Sequence, residues 1–181
     1  MMDLSAFSLE GKTVLVTGAN TGIGQGIAVS IGRAGGRVIG VGRSSLDETA
    51  ALLAGIGAEF VPVSADLSTG APEMLAQAWQ THGPIDGLVN NAGIIKRADA
   101  ADFTEADWDD VMDVNLKAMF FLCQAFGRQV FDAGRTGKIV NIASMLSFQG
   151  GIRVASYTAS KHGALGITRL LANEWAARGI N

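Results

Sequence analysis

Short runs rich in β-branched residues alternate with longer helical stretches along this whole chain, and that alternation leaves few folds open. Residues 13–17 (TVLVT), 37–41, 59–64, 87–90 and 138–143 (KIVNIA) read as strands, and 22–34, 46–55, 71–81, 104–131 and 155–178 as helices. The first and last strands are apolar almost throughout, as strands buried on both faces should be. Pro72 suits a first helical turn, Gly83-Pro84 ends that helix, Thr104 is placed to cap the next, and Gly179 closes the last. Strand–helix alternation of this kind gives a parallel sheet with helices on both faces. Right-handed crossovers then make strand order 3-2-1-4-5 the economical topology, in an α/β, three-layer, doubly wound domain over residues 1–181. Ligands of such sheets bind beyond the carboxyl ends of the strands, so chemistry is expected directly after each strand.

Composition narrows the function. With 181 residues, 48% hydrophobic and 17% charged, the chain can bury a sizeable core. A net charge of −3 offers no broad attraction to nucleic acid or to an anionic membrane. The opening MMDLSAFSLEGK lacks the basic-then-apolar order of a signal peptide, and no apolar run reaches bilayer-spanning length. Cys123, the lone cysteine, has no internal disulfide partner, which suits a reducing cytoplasm. His82 and His162 lack companions at ligand spacing, so no metal site is expected.

Four places after strands carry informative residues. Thr17-Gly18-Ala19-Asn20-Thr21-Gly22-Ile23-Gly24 follows the first strand. Its glycines let the backbone turn sharply and approach a pyrophosphate lying on the next helix's N-terminus, although a ligand-free glycine turn would look the same. Tyr157 and Lys161, one helical turn apart, open the last helix, and Tyr157 is the only tyrosine. An ammonium beside a phenol stabilises the phenolate, as a general acid/base for an alcohol–ketone pair requires; a surface Tyr and a solvated Lys are the plainer alternative. Ser144 directly follows the strand KIVNIA, where its hydroxyl could hold a substrate oxygen or simply sit in a turn. Asn90-Asn91-Ala92-Gly93 follows the fourth strand, and Asn115 lies inside a helix, a poor place for asparagine. Asn115 therefore either satisfies a local backbone group or anchors a water.

Taken together, TGxxxGxG, NNAG, the helix Asn, the strand-end Ser and YxxxK resemble the short-chain dehydrogenase/reductase family, in order and from Leu9 to the end of the chain. The resemblance implies a Rossmann-like fold in which Gly18, Asn20, Thr21, Gly22, Ile23 and Gly24 cradle a nicotinamide coenzyme's diphosphate. Asp66 and Leu67 would meet the adenine, and Asn91, Ala92 and Gly93 the adenosine side. Asn115, Ser144, Tyr157 and Lys161 would form a catalytic tetrad. In it Tyr157 donates the proton, Ser144 holds the substrate oxygen, Lys161 binds the ribose and assists Tyr157, and Asn115 positions a water. The stretch from Ser144 to Tyr157 is similar to the branch of the family that acts on keto or hydroxy sugar acids of the deoxygluconate type. Ser144, Met145, Gln149 and Arg153 would then face the substrate, the Arg153 guanidinium suiting a carboxylate. Lys96 and Arg97 would either add positive charge there or be solvated. A 3-oxoacyl-carrier-protein reductase is the nearest rival, and a non-catalytic nucleotide-binding fragment the next.

The coenzyme is read in two directions. Gly42 stands at the end of the second strand, where a carboxylate would bind the ribose of NAD(H), and Arg43 beside it could pair with a 2′-phosphate. Local chemistry thus points to NADP(H), the family branch to NAD(H). The resemblance also implies a homodimer or homotetramer packed through the helices carrying Phe120, Phe121 and Phe126 and Leu165, Leu170, Leu171 and Trp175. It further implies C-terminal strands that would follow Asn181.

Overall fold

A computed structural model describes residues 5–181; residues 1–4, the start of the stretch read above for a signal peptide, lie outside the described residues. Strands β1 (Thr13–Thr17), β2 (Arg37–Gly42), β3 (Phe60–Ser64), β4 (Gly87–Asn90) and β5 (Lys138–Asn141) form one parallel sheet in the order 3-2-1-4-5. Helices α1 (Gly22–Arg33), α2 (Asp47–Ala54), α3 (Ala71–His82), α4 (Glu105–Met112), α5 (Ala118–Asp132) and α6 (Ala155–Trp175) cover it. Successive residues of a strand point to opposite faces, and β1 divides its apolar side chains accordingly. Leu15 joins Leu75, Leu122, Phe126 and Leu171 on the face covered by α3, α5 and α6. Val14 and Val16 join Ala28, Ile31 and Leu53 under α1 and α2. Burying one such Leu or Phe side chain contributes about 1.5–3 kcal/mol.

Two elements differ from their sequence reading. The helix expected over 104–131 begins as foreseen, with the Thr104 hydroxyl accepting the Asp107 N–H at 3.2 Å. A π-helical turn, Asp113–Lys117, then interrupts it around Asn115. Such wide turns mark functional sites in helices, and the reason here is a tertiary bond described below. The strand expected over 138–143 stops at Asn141 and is half exposed, with Val140 open to solvent, instead of buried. It is one of the two outer strands of the sheet. Ile180 bridges to Gly137 in parallel, and the Ile139 N–H donates to the Asn181 carbonyl at 2.8 Å, so the last residues lie along that edge. Gly179, at φ 84°, makes the turn that brings them there. No helix among the described residues is long and apolar enough to cross a membrane.

Candidate active site

A cleft of about 450 Å³ opens at the carboxyl ends of β1 to β4, where the strand order reverses. Gly18, Asn20, Thr21, Ile23 and Gly24 line it from the glycine turn, and Arg43 from the end of β2. Asp66 and Leu67 line it after β3, and Asn91, Ala92 and Gly93 after β4. Gly22 does not line the cleft but turns the chain at φ 58°. The turn is closely packed. A Cβ on Gly24 would stand 2.1 Å from the Gly18 carbonyl oxygen and 2.4 Å from Asn91 Nδ2. Thr17, which the glycine spacing did not single out, fastens this turn to the loop after β4. Its hydroxyl accepts the Asn91 and Ala92 N–H groups, both at 3.0 Å, and donates to the Val89 carbonyl.

These residues suit a dinucleotide. The Thr21 side chain does not cap α1, so first-turn amides of a twelve-residue helix face a cleft lined by its own glycine turn. At the end of β2, a Cβ on Gly42 would lie 3.2 Å from the Asn20 Cβ, and Asn20 Nδ2 donates to Ser44 Oγ at 2.8 Å. Arg43 reaches across to Asp66, with 3.9 Å between Nη1 and Oδ2. The other Asp66 oxygen accepts the Ser68 hydroxyl and N–H. Those two hydrogen bonds, assisted by Arg43, hold the Asp66 carboxyl below the usual carboxylate range.

Asn115, Ser144, Tyr157 and Lys161 stand beside this cleft rather than along its wall. Asn115 is buried, and the backbone group it satisfies is not local: its Oδ1 accepts the Ile94 N–H at 2.8 Å and its Nδ2 donates to the Ile94 carbonyl at 2.9 Å. The π turn places that amide opposite a residue lining the cleft. Asn115 Nδ2 also lies 3.3 Å from Ser160 Oγ, which donates to the Tyr157 carbonyl. The helix carrying the tyrosine is thereby tied to the loop after β4. Lys161 is buried, with its Nζ 5.7 Å from the centre of the Tyr157 ring and donating to the Ile142 carbonyl at 2.6 Å. Burial lowers its pKa from the usual lysine value. Ser144 Oγ accepts the Leu146 N–H at 3.1 Å, and Ser147, unremarked in the sequence, bonds to both Ser144 and Lys161. Ser160 gave no sequence signal, whereas Ser147 stands three residues after Ser144, the spacing of a reciprocal cap.

The residues assigned to substrate lie on the exposed loop between β5 and α6. Met145 and Gln149 are solvent-facing. Arg153 adopts φ 63°, left-handed for a non-glycine residue, and its Nε pairs with Asp99 Oδ1 at 3.0 Å. Lys96 is committed to the surface of α4, at 2.9 Å from Asp107 and 3.1 Å from Asp110, which hold it above its usual pKa. Among the described residues no group of three or more His, Cys, Asp or Glu could hold a metal ion.

A glycine turn packed against a helix start, in the crevice where a parallel sheet reverses its order, defines a dinucleotide-binding α/β protein. The family model of short chain dehydrogenases matches residues 12–181. The chain is 53% identical to the 2-dehydro-3-deoxy-D-gluconate 5-dehydrogenase of Escherichia coli K12, over 99% of this chain and 72% of that one. It is 52% identical to the Bacillus subtilis enzyme of the same name, over 97% and 69%. A solved structure from Agrobacterium tumefaciens, assigned as a 2-deoxy-D-gluconate 3-dehydrogenase and holding NADP, superposes with a TM-score of 0.90 at 57% identity. That superposition covers 97% of this chain and 70% of the other. The chain belongs to the short-chain dehydrogenases, which are nicotinamide-dependent oxidoreductases.

Proposed function

We propose that this chain interconverts a hydroxyl and a ketone on a sugar acid of the deoxygluconate type, with NADP(H) accepted as coenzyme. The observation that carries the chemistry is the buried Lys161 cation beside the ring of the chain's only tyrosine. The substrate class rests on likeness to the sugar-acid dehydrogenases and on a loop that carries Arg153. When bound, the nicotinamide supplies or accepts the hydride. The residues of the chain do the rest. In the reducing direction Tyr157 gives its phenolic proton to the carbonyl oxygen, and in the oxidising direction it takes that proton back. Lys161 compensates the negative charge that develops on the phenol oxygen. Ser144 Oγ accepts one N–H and has its own hydrogen to donate to the substrate oxygen. Asn115 fixes the separation between the loop after β4 and α6. Gly18, Asn20, Thr21, Ile23, Gly24, Asp66, Leu67 and Asn91 to Gly93 hold the coenzyme, and Arg43, with no carboxylate at Gly42, receives a 2′-phosphate. Cytoplasmic action fits a lone buried cysteine whose pKa burial pushes up to about 12.

The test is turnover against a panel of keto sugar acids and an acetoacetyl thioester, each with both coenzymes. Turnover of sugar acids supports the reading. Turnover confined to the thioester favours an acyl-carrier-protein reductase, and coenzyme binding without any turnover a non-catalytic protein. A homodimer or homotetramer is part of the same proposal, supported by Phe121 and Leu170 facing solvent on α5 and α6. Phe126, Leu171 and Trp175 are engaged within the chain; Trp175 meets the Phe131 ring edge-on at 5.7 Å and covers Gly127. Light scattering at micromolar concentration should therefore show at least a dimer, weakened by Leu170→Glu.

A further inference from the structure

Ser147 is 3% exposed, and both capacities of its hydroxyl are in use. It donates to the Lys161 carbonyl at 2.7 Å and accepts the Ser144 N–H at 3.2 Å. One side chain thus joins the backbones of two residues that reach the reaction from different elements, the loop after β5 and the second turn of α6. We propose that Ser147 is a positioning residue, setting the distance between the Ser144 hydroxyl and the Tyr157–Lys161 pair. The proposal rests on the catalytic reading of those three residues and adds a fourth that touches neither substrate nor coenzyme.

The geometry gives Ser147 this part for a definite reason. Ser144 Oγ is held by the Leu146 N–H, so the hydroxyl faces wherever its own backbone faces. That backbone is the N-terminus of a single 3₁₀ turn, Met145–Ser147, whose Met145 is exposed, followed by a loop whose Phe148 and Ile152 are exposed. Ser147 holds Ser144 at both backbone groups, its N–H donating to the Ser144 carbonyl at 2.9 Å and its hydroxyl accepting the Ser144 N–H, and that hydroxyl also ties the turn to a helix carbonyl in the interior. Without the hydroxyl, Ser144 keeps its chemistry and loses its bearing on Tyr157.

Two measurements decide the matter. In a double-mutant cycle, Ser147→Ala should lower kcat about tenfold, the loss expected when one hydrogen bond's worth of orientation disappears from the transition state. In a Ser144→Ala background the same change should cost less than about twofold, because the group being oriented is gone. Coenzyme Kd should not move, and Ser147→Thr, which keeps the hydroxyl, should recover activity. Ser156→Ala removes a fully buried hydroxyl with no hydrogen-bond partner in the described structure, and serves as the control that should leave kcat unchanged. The second measurement needs no turnover: amide exchange at Ser144 should accelerate at least about tenfold in Ser147→Ala, with the melting midpoint recorded alongside. Equal losses in both backgrounds, or an unchanged Ser144 exchange rate, overturn the proposal. A wild type that turns over no keto sugar acid refutes the substrate reading instead, and the exchange rate then decides on Ser147 alone.

Discussion

Gly24 and Gly26 sit two residues apart on α1, and alanine at the two positions should act in opposite directions. At Gly26 an added methyl meets nothing within 4 Å, so Gly26→Ala only removes glycine's backbone freedom from a helix. That change stabilises by about 0.5–1 kcal/mol, which raises the melting midpoint of a domain this size by roughly 1–4 °C. At Gly24 the same helix-propensity gain is outweighed. The methyl would fall 2.1 Å from the Gly18 carbonyl oxygen and 2.7 Å from its carbon, backbone atoms in the turn that lines the cleft. Relief requires α1 to back away from that turn, an overpacking cost of about 1–3 kcal/mol. The midpoint of Gly24→Ala should fall by roughly 2–12 °C. The displacement also moves the first-turn amides, so coenzyme affinity should weaken about tenfold or more, since about 1.4 kcal/mol is one decade. Thermal melts and coenzyme titration by fluorescence, run on both variants, test this. A Gly24→Ala protein that melts and binds like Gly26→Ala would show that close packing of the turn does not set the coenzyme site.

Tyr157→Phe should lower turnover about 10²-fold or more by removing the proton donor, with coenzyme Kd unchanged in the same titration. Arg43→Asp should shift the ratio of kcat/KM values towards NAD(H); an unchanged ratio would mean that Arg43 does not read the 2′-phosphate. Lys161→Met should abolish turnover and also reveal the cost of burying the cation. Because burial lowers the folded pKa of Lys161, the unfolded chain binds the extra proton. The cost is therefore full below the folded pKa and fades as pH rises through it towards about 10.4. Wild-type stability relative to Lys161→Met should rise between pH 7 and pH 10 in denaturant titrations, and a flat or falling difference would refute this.

The sheet, its order and the cleft were legible in the chain because each rests on local signals. Apolar β-branched runs form buried parallel strands, and glycine and proline punctuate them whatever lies around. Nearly every residue assigned to the coenzyme from TGANTGIG, ADL and NNAG does line one cleft, since those segments directly follow strands. Contacts between distant segments were not legible. Asn115 stood out only as misplaced in a helix; its bond to Ile94, 21 residues away, opens the π turn. The roles of Thr17, Ser147 and Ser160 depend on which carbonyls and amides lie within hydrogen-bond reach, and a hydroxyl has no periodicity to announce that. Arg153 was read towards substrate and Lys96 left open, and only the fold supplied their carboxylates, Asp99 for one and Asp107 and Asp110 for the other. Val140 reads as core in KIVNIA and lies half exposed on the outer strand β5. Residue type and spacing determined which groups this chain could use; the tertiary structure decided which of them meet, because hydrogen bonds and ion pairs act over a few ångströms and only folding brings such distances about.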